Sequence, residues 1–235
     1  VQLHDASSIA AVIVEPVAGS TGILVPPVGY LQRLREICDC HSILLIFDEV
    51  ITAFGRVGTA FAAERFGVLP DILTVAKGIT NGVIPMGAVL VRESIYQALM
   101  QGPEEAIEFF HGYTYSGHPV AAAAGLAALA SYEEEESFRQ AKALELRFEE
   151  ALHGLREEPH VVDIRNIGLM GGIELASREG APGVRGFEAF QDCFEQGVVI
   201  RNGGDTLQFA PFLNSAEDEL ERIFDCVRKA LRRLR

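Results

Sequence analysis

Cysteine is scarce in this chain, and none is placed for joint chemistry. The four are Cys38, Cys40, Cys193 and Cys226. Cys38 and Cys40 lie two apart on a predicted helix, so they point to different sides and cannot chelate together. The chain carries no zinc spacing and no framework of secreted disulfides, and a reducing cytoplasm is the expected setting. Long hydrophobic runs are missing too. The longest apolar tract, Pro119–Ala130, is too short and too alanine-rich to span a bilayer, and no signal-peptide pattern precedes it. No membrane partner is expected. Positive charge is in deficit, with 20 Lys and Arg against 33 Asp and Glu and a net charge of −13. That balance argues against a nucleic-acid partner, because neutralising phosphates needs a basic surface. The run Glu133–Glu136 reads as a solvated helix face.

An initiator methionine is lacking as well. Val1-Gln2-Leu3-His4 leads almost at once into Ile9–Val14, a central-strand pattern ending in Glu15-Pro16. The chain is therefore expected to be the C-terminal part of a longer protein. Its 235 residues, 49% of them hydrophobic, suffice for one sizeable globular core, or for one domain and a smaller one.

What is present is organised around Ile43 to Lys77. Ile43-Leu44-Leu45-Ile46-Phe47 is a continuous apolar run that stops in Asp48-Glu49, and Ile72-Leu73-Thr74-Val75-Ala76 stops in Lys77. Runs of this kind predict strands buried on both faces, as in a parallel sheet. Each delivers an ionisable group at its C-terminal end, where open α/β sheets place ligands. A carboxylate and an ammonium are costly there without compensation. A ligand with a basic ring nitrogen and an aldehyde would compensate both, the nitrogen pairing with Asp48 and the aldehyde taking Lys77 as a Schiff base. Ala76 and Gly78 leave room for a bulky adduct.

Helix spacing over Val28–His41 between strands Ile9–Val14 and Ile43–Phe47 predicts a βαβ unit. A helix over Thr59–Phe66, strand Met86–Val91 and helix Glu93–Met100 follow. The polar loop His111–Pro119 (HGYTYSGHP) precedes helical stretches from Val120 and from about Glu135 to Leu155. The character then changes: strands Val161–Ile164 and Leu169–Leu175, a helix near Gly186–Gln196, strands Val198–Arg201 and Thr206–Ala210, and a closing helix Glu217–Leu234. The division expected is 1–135 for part of a larger α/β domain and 136–235 for a small α+β domain.

The stretches LIFDEVITAFGR (Leu45–Arg56) and PDILTVAKG (Pro70–Gly78), with Asp48 and Lys77 29 positions apart, resemble the signature of class III pyridoxal-phosphate aminotransferases. The resemblance covers essentially the whole chain. It implies the aspartate-aminotransferase-like fold type I, here with an incomplete large domain, and pyridoxal 5′-phosphate (PLP) as cofactor. It implies that Lys77 carries the cofactor and moves the proton, that Asp48 holds the pyridine nitrogen, and that Val50 packs against the ring. Many relatives carry a polar residue at the place of Ile51, so that contact is altered here.

Thr114, taken alone, reads as an ordinary loop threonine or as a hydroxyl that can donate to phosphate. HGYTYSGHP is similar to the family segment that reaches the partner subunit's cofactor phosphate, which implies a homodimer with Thr114 crossing to the partner's site. Arg201, at the end of Val198-Val199-Ile200, can bind a substrate carboxylate or pair with Asp205. VIRNGGDTLQFAPF is similar to the β-alanine:pyruvate branch, where an arginine before this turn recognises the carboxylate. Ser20 stands where ornithine-type relatives have a glutamate, which argues against ornithine substrates. His111 and His118 show no metal spacing and are read as structural.

The function so implied is ping-pong transfer of an amino group from an ω-amino acid or amine, such as β-alanine, to pyruvate. Family members are nearly twice as long, and the absent half would grip the phosphate and complete the sheet. Two rivals remain: a related PLP enzyme such as an aminomutase, and a truncated remnant without catalysis.

Overall fold

β2 (Leu44–Asp48) is held on one side by helix α1 (Tyr30–His41). Leu45 and Phe47 are fully buried there against Leu31, Cys38, Ile43 and Val68. The structure, a computed structural model, describes every residue except 106–108, 110, 113 and 235. β1 (Ala11–Val14) pairs in parallel with β2, and β2 in parallel with β3 (Ile72–Ala76). β4 (Gly87–Val91) completes the row antiparallel to β3. The βαβ unit predicted from apolar spacing is thus present.

Burial on both faces is not. Side chains alternate across a strand; Val12 and Val14 pack towards α1, whereas Ile13 between them is 63% exposed. Val89 and Leu90 of β4 are exposed as well. α1 lies on one side only, so the apolar run of β2 alternates between buried and half-buried positions. Asp71 fastens this layer. Its carboxylate accepts the Leu45 N–H and an Arg35 guanidinium N–H, each at 2.8 Å, tying the start of β3 to β2 and to α1.

Helices α2 (Ala62–Phe66), α3 (Glu93–Leu99) and α4 (Pro119–Glu134) follow. α2 begins three residues later than predicted because Phe61 is still extended. α4 starts with Pro119 at its first turn, and His118 Nδ1 accepts the Val120 N–H, so that histidine is a helix cap. α5 (Ser137–His153) is separated from α4 by Glu135 and Glu136, the latter at φ +51°.

A second, wholly antiparallel sheet runs in the order β5 (Val161–Ile167), β6 (Met170–Leu175), β8 (Thr206–Phe209), β7 (Arg201–Gly203). Helices α5, α6 (Val184–Glu195) and α7 (Glu217–Arg233) share its core, in which Phe148, Leu152, Ile173, Leu207, Phe224 and Leu231 are buried. The expected strand Val198–Arg201 is corrected: pairing starts at Arg201. Val198 N–H still bonds Cys193 C=O behind the left-handed Gly197, so residues 198–200 form the exit from α6. The basic residues closing α7 find carboxylates: Arg228 and Arg232 pair with the buried Glu158, and Arg233 with Asp192. No helix among the described residues is long and apolar enough to cross a membrane.

The two sheets meet through an apolar cluster of Val17, Ile23, Val57, Ala62, Ile167 and Met170. Gly168, in the β5–β6 turn at φ +53°, lies so close that a Cβ would stand 2.5 Å from Val57 Cα. Gly168→Ala therefore adds a steric clash with backbone to an unfavourable φ. It is expected to lower the unfolding free energy by roughly 2–4 kcal/mol in urea titrations.

Candidate active site

The segment after β2 is pinned by a carboxylate. Glu49 is fully buried, and its oxygens accept the N–H groups of Ala62 (2.6 Å) and Ala63 (2.9 Å) and the Thr52 hydroxyl (3.0 Å). Burial pushes its pKa up, against the pull of these donors. The loop between, Val50–Phe61, is thereby closed onto the first turn of α2. Val50 and Ile51 from this loop line a cavity of about 830 Å³, within the usual range for small-molecule sites.

Lys77 enters the same cavity from the end of β3. It opens a short 3-10 turn, Lys77–Thr80, and its φ is +52°, a conformation that non-glycine residues rarely adopt. Its side chain is exposed and makes no ion pair among the described residues. The room expected at Gly78 is already filled: a Cβ there would lie 2.8 Å from Phe54, so the missing side chain admits Phe54 and not an adduct.

Asp48 ends β2, the strand paired in parallel with the one that leads into Lys77. It is half-buried and is not part of the cavity wall. Its Oδ1 turns back to accept the Val50 N–H (3.1 Å) and, weakly, the hydroxyl of its cross-strand neighbour Thr74 (3.4 Å). Oδ2 makes no hydrogen bond among the described residues.

Arg201 reaches the cavity from the second sheet, exposed, opposite Gln208 in the β7–β8 register. The alternative of a pair with Asp205 is overturned. That carboxylate accepts Ser177 Oγ (2.7 Å) and the N–H groups of Gly183 (2.7 Å) and Gly186 (2.9 Å). Burial alone would raise the Asp205 pKa, but these donors outweigh it and hold the carboxyl below its ordinary value.

Ser20 completes another wall, in a loop tied down from the second sheet. Gln208 Nε2 donates to Ser20 C=O (3.1 Å), and Arg165 Nε to Gly22 C=O (2.8 Å). Ile51 packs so closely on this loop that a Cβ on Gly19 would lie 2.8 Å from its Cδ1. Thr114 is exposed in the 114–117 turn and does not line the cavity. Tyr113, beside it in HGYTYSGHP, lies outside the described residues. Val50, Lys77 and Arg201 therefore line one cavity; Asp48, ending the strand beside that of Lys77, and Thr114 are not among its lining residues.

Three residues that the sequence reading did not single out also matter. Arg56 lines the cavity and sends Nη1 across to the carbonyls of Leu169 (3.3 Å) and Pro211 (2.5 Å); burial lowers its pKa. It is the only charged residue between Val50 and Ala63, which is the signal that could have marked it. Tyr132 closes an alanine-rich helix and donates its hydroxyl to Gly78 C=O at 2.8 Å. Gln208 is a polar residue on an apolar strand, 7% exposed.

A family model described as Aminotransferase class-III matches residues 2–231. The chain is 59% identical over 233 residues to a beta-alanine–pyruvate aminotransferase of Pseudomonas aeruginosa, covering 98% of this chain and 52% of that protein. It is 57% identical over 231 residues to an omega-aminotransferase of Caulobacter vibrioides, covering 98% and 53%. A crystal structure described as a PLP-bound amine transaminase from an uncultivated Pseudomonas species matches with a TM-score of 0.92 at 39% identity, over 100% of this chain and 54% of that one. The chain spans about half the length of the curated relatives it matches.

The Asp205 network has a pH signature. Because its folded pKa is depressed, its contribution is fully present above the ordinary aspartate value of about 4 and is lost as pH falls through the folded value. Urea midpoints followed from about pH 7 to about pH 3 are expected to show a shallower acid decline in Asp205→Asn than in the wild type.

Proposed function

The chain belongs to the class-III aminotransferases, PLP enzymes whose mixed α/β fold type I it shares, and from that membership we propose that it carries the amino-transfer centre of an ω-amino acid:pyruvate transaminase. One observation carries the reading. Lys77 from the first sheet and Arg201 from the second open onto one cavity.

The residues present fit the cofactor. An exposed amine without an ion pair among the described residues is available to an aldehyde, and a carboxylate with an unused oxygen is available to a pyridine N–H. Bound PLP would supply that aldehyde, an electron-withdrawing ring and the carrier of the amino group between donor and keto acid. Asp48 Oδ2 would keep the ring nitrogen protonated through a charge-assisted hydrogen bond, and Val50 would offer the ring an apolar contact. Lys77 Nζ takes up the proton leaving the amino-bearing carbon of the donor, and in the return half-reaction it delivers a proton to the carbonyl carbon of the keto acid.

Arg201 binds the substrate carboxylate with two parallel N–H donors, a role its freedom from Asp205 supports. The donor leaves as an oxo acid before pyruvate enters, and pyruvate leaves as alanine: a ping-pong exchange. Thr114, exposed and off its own cavity, is assigned to the cofactor phosphate of a second subunit in a homodimer, a reading its exposure allows.

Only three lysines occur, Lys77, Lys142 and Lys229, so the site of attachment is readily mapped. Borohydride reduction with PLP is expected to label Lys77, and Lys77→Ala to abolish both the label and the visible band of bound cofactor. Alanine formation from β-alanine and pyruvate should then fall by roughly 10²-fold or more in that variant. If the wild type consumes β-alanine without making alanine from pyruvate, the transaminase reading fails and a single-substrate rearrangement takes its place. Arg201→Ala is expected to raise KM for β-alanine by about tenfold or more and to leave KM for an amine without a carboxylate near wild type.

A further inference from the structure

The left-handed backbone at Lys77 needs a cause. A residue with a Cβ persists at φ +52° only where its surroundings over-determine the conformation. Part of the constraint is local: Gly82 N–H bonds Lys77 C=O (3.2 Å), and Asn81 N–H bonds Gly78 C=O (3.1 Å). The rest comes from α4. Tyr132 donates its hydroxyl to the same Gly78 carbonyl at 2.8 Å. Its ring stacks on Phe54, with centroids 6.1 Å apart at 26°, and meets Phe138 at 5.2 Å. Phe54 in turn fills the space where a side chain on residue 78 would stand. The peptide after Lys77 is thus gripped by Phe54 on one side and bonded by a phenol from another element.

We propose that Tyr132 is the positioning residue of Lys77: by holding the Gly78 carbonyl, its hydroxyl fixes the turn that directs the lysine side chain into the cavity. The proposal rests on the reading of Lys77 as the cofactor-bearing amine. Tyr132 lines the same cavity, but its hydroxyl is committed to the Gly78 carbonyl. It acts through the backbone, so its effect falls on the orientation and availability of the Lys77 amine. Because Gly78 C=O keeps its bond from Asn81, removing the phenol orphans no buried acceptor, and Tyr132→Phe retains the aromatic stack.

The test compares the wild type, Tyr132→Phe and Phe138→Leu in the intact protein. Three quantities are read: the rate of PLP capture at Lys77 by borohydride trapping and peptide mass, visible circular dichroism per bound cofactor, and the thermal midpoint. Tyr132→Phe is expected to slow capture roughly five- to tenfold, the scale of one hydrogen bond, and to weaken the visible dichroism while the midpoint moves by only a few degrees at most. Phe138→Leu loosens the same stack without touching the Gly78 carbonyl; it should lower the midpoint and leave capture and dichroism at wild-type values. Wild-type capture and dichroism in Tyr132→Phe, or equal losses in both variants, overturn the positioning role and leave the function of Lys77 standing. Absence of a Lys77 label in the wild type overturns the functional reading and the positioning role with it.

Discussion

The guanidinium of Arg56 lies between the loop that follows β2 and the second sheet, and carbonyl oxygens bind it there. Nη1 reaches both Leu169 and Pro211, while Leu169 N–H returns a bond of 3.0 Å to Arg56 C=O. Burying a cation is costly, and hydrogen bonds from a charged donor to carbonyl oxygens recover part of that cost. The joint is reinforced by contact. Gly168 rests against the Val57 backbone, and the Val17–Met170 cluster closes the apolar seam. With the ties from Arg165 and Gln208 to the Ser20 loop, this joint fixes the relation of the two sheets and the walls of the cavity between them.

Every chemically useful group depends on that relation. Lys77 comes from the end of a parallel strand, Arg201 from the start of an antiparallel one, and Ser20 from a loop that Arg165 and Gln208 fasten to the second sheet. The buried Glu49 performs the same service within the first layer, fixing the loop of Val50 and Ile51 by binding N–H groups. Polar side chains committed to backbone groups therefore do most of the shaping of the site.

The order of strands and helices was legible because it follows from apolar period, which the chain carries plainly in Ile43–Phe47 and in α5. Lys77 was legible for a related reason, as a charge ending an apolar run. Other features depend on partners distant in sequence. The freedom of Arg201 follows from Asp205 being engaged by Ser177, Gly183 and Gly186, which no local pattern reveals. Likewise Gly78 looked like space, and only the fold shows Phe54 occupying it. Burial on both faces of β1 was overestimated because a run of apolar residues records what a strand tolerates, whereas actual cover depends on which elements lie over it. Val198–Ile200 is β-branched throughout, yet the exit from α6 claims it before a ladder can.

The long reach of the Arg56 joint also governs when the site can exist. Its two acceptors follow the guanidinium by 113 and 155 residues in the chain. Contacts of such separation form late, after many shorter loops have closed. On the ribosome, the cavity gains its far wall only after residues 199–224 have emerged. Lys77 leaves the ribosome before Arg201 does, so the amine exists before the wall that faces it.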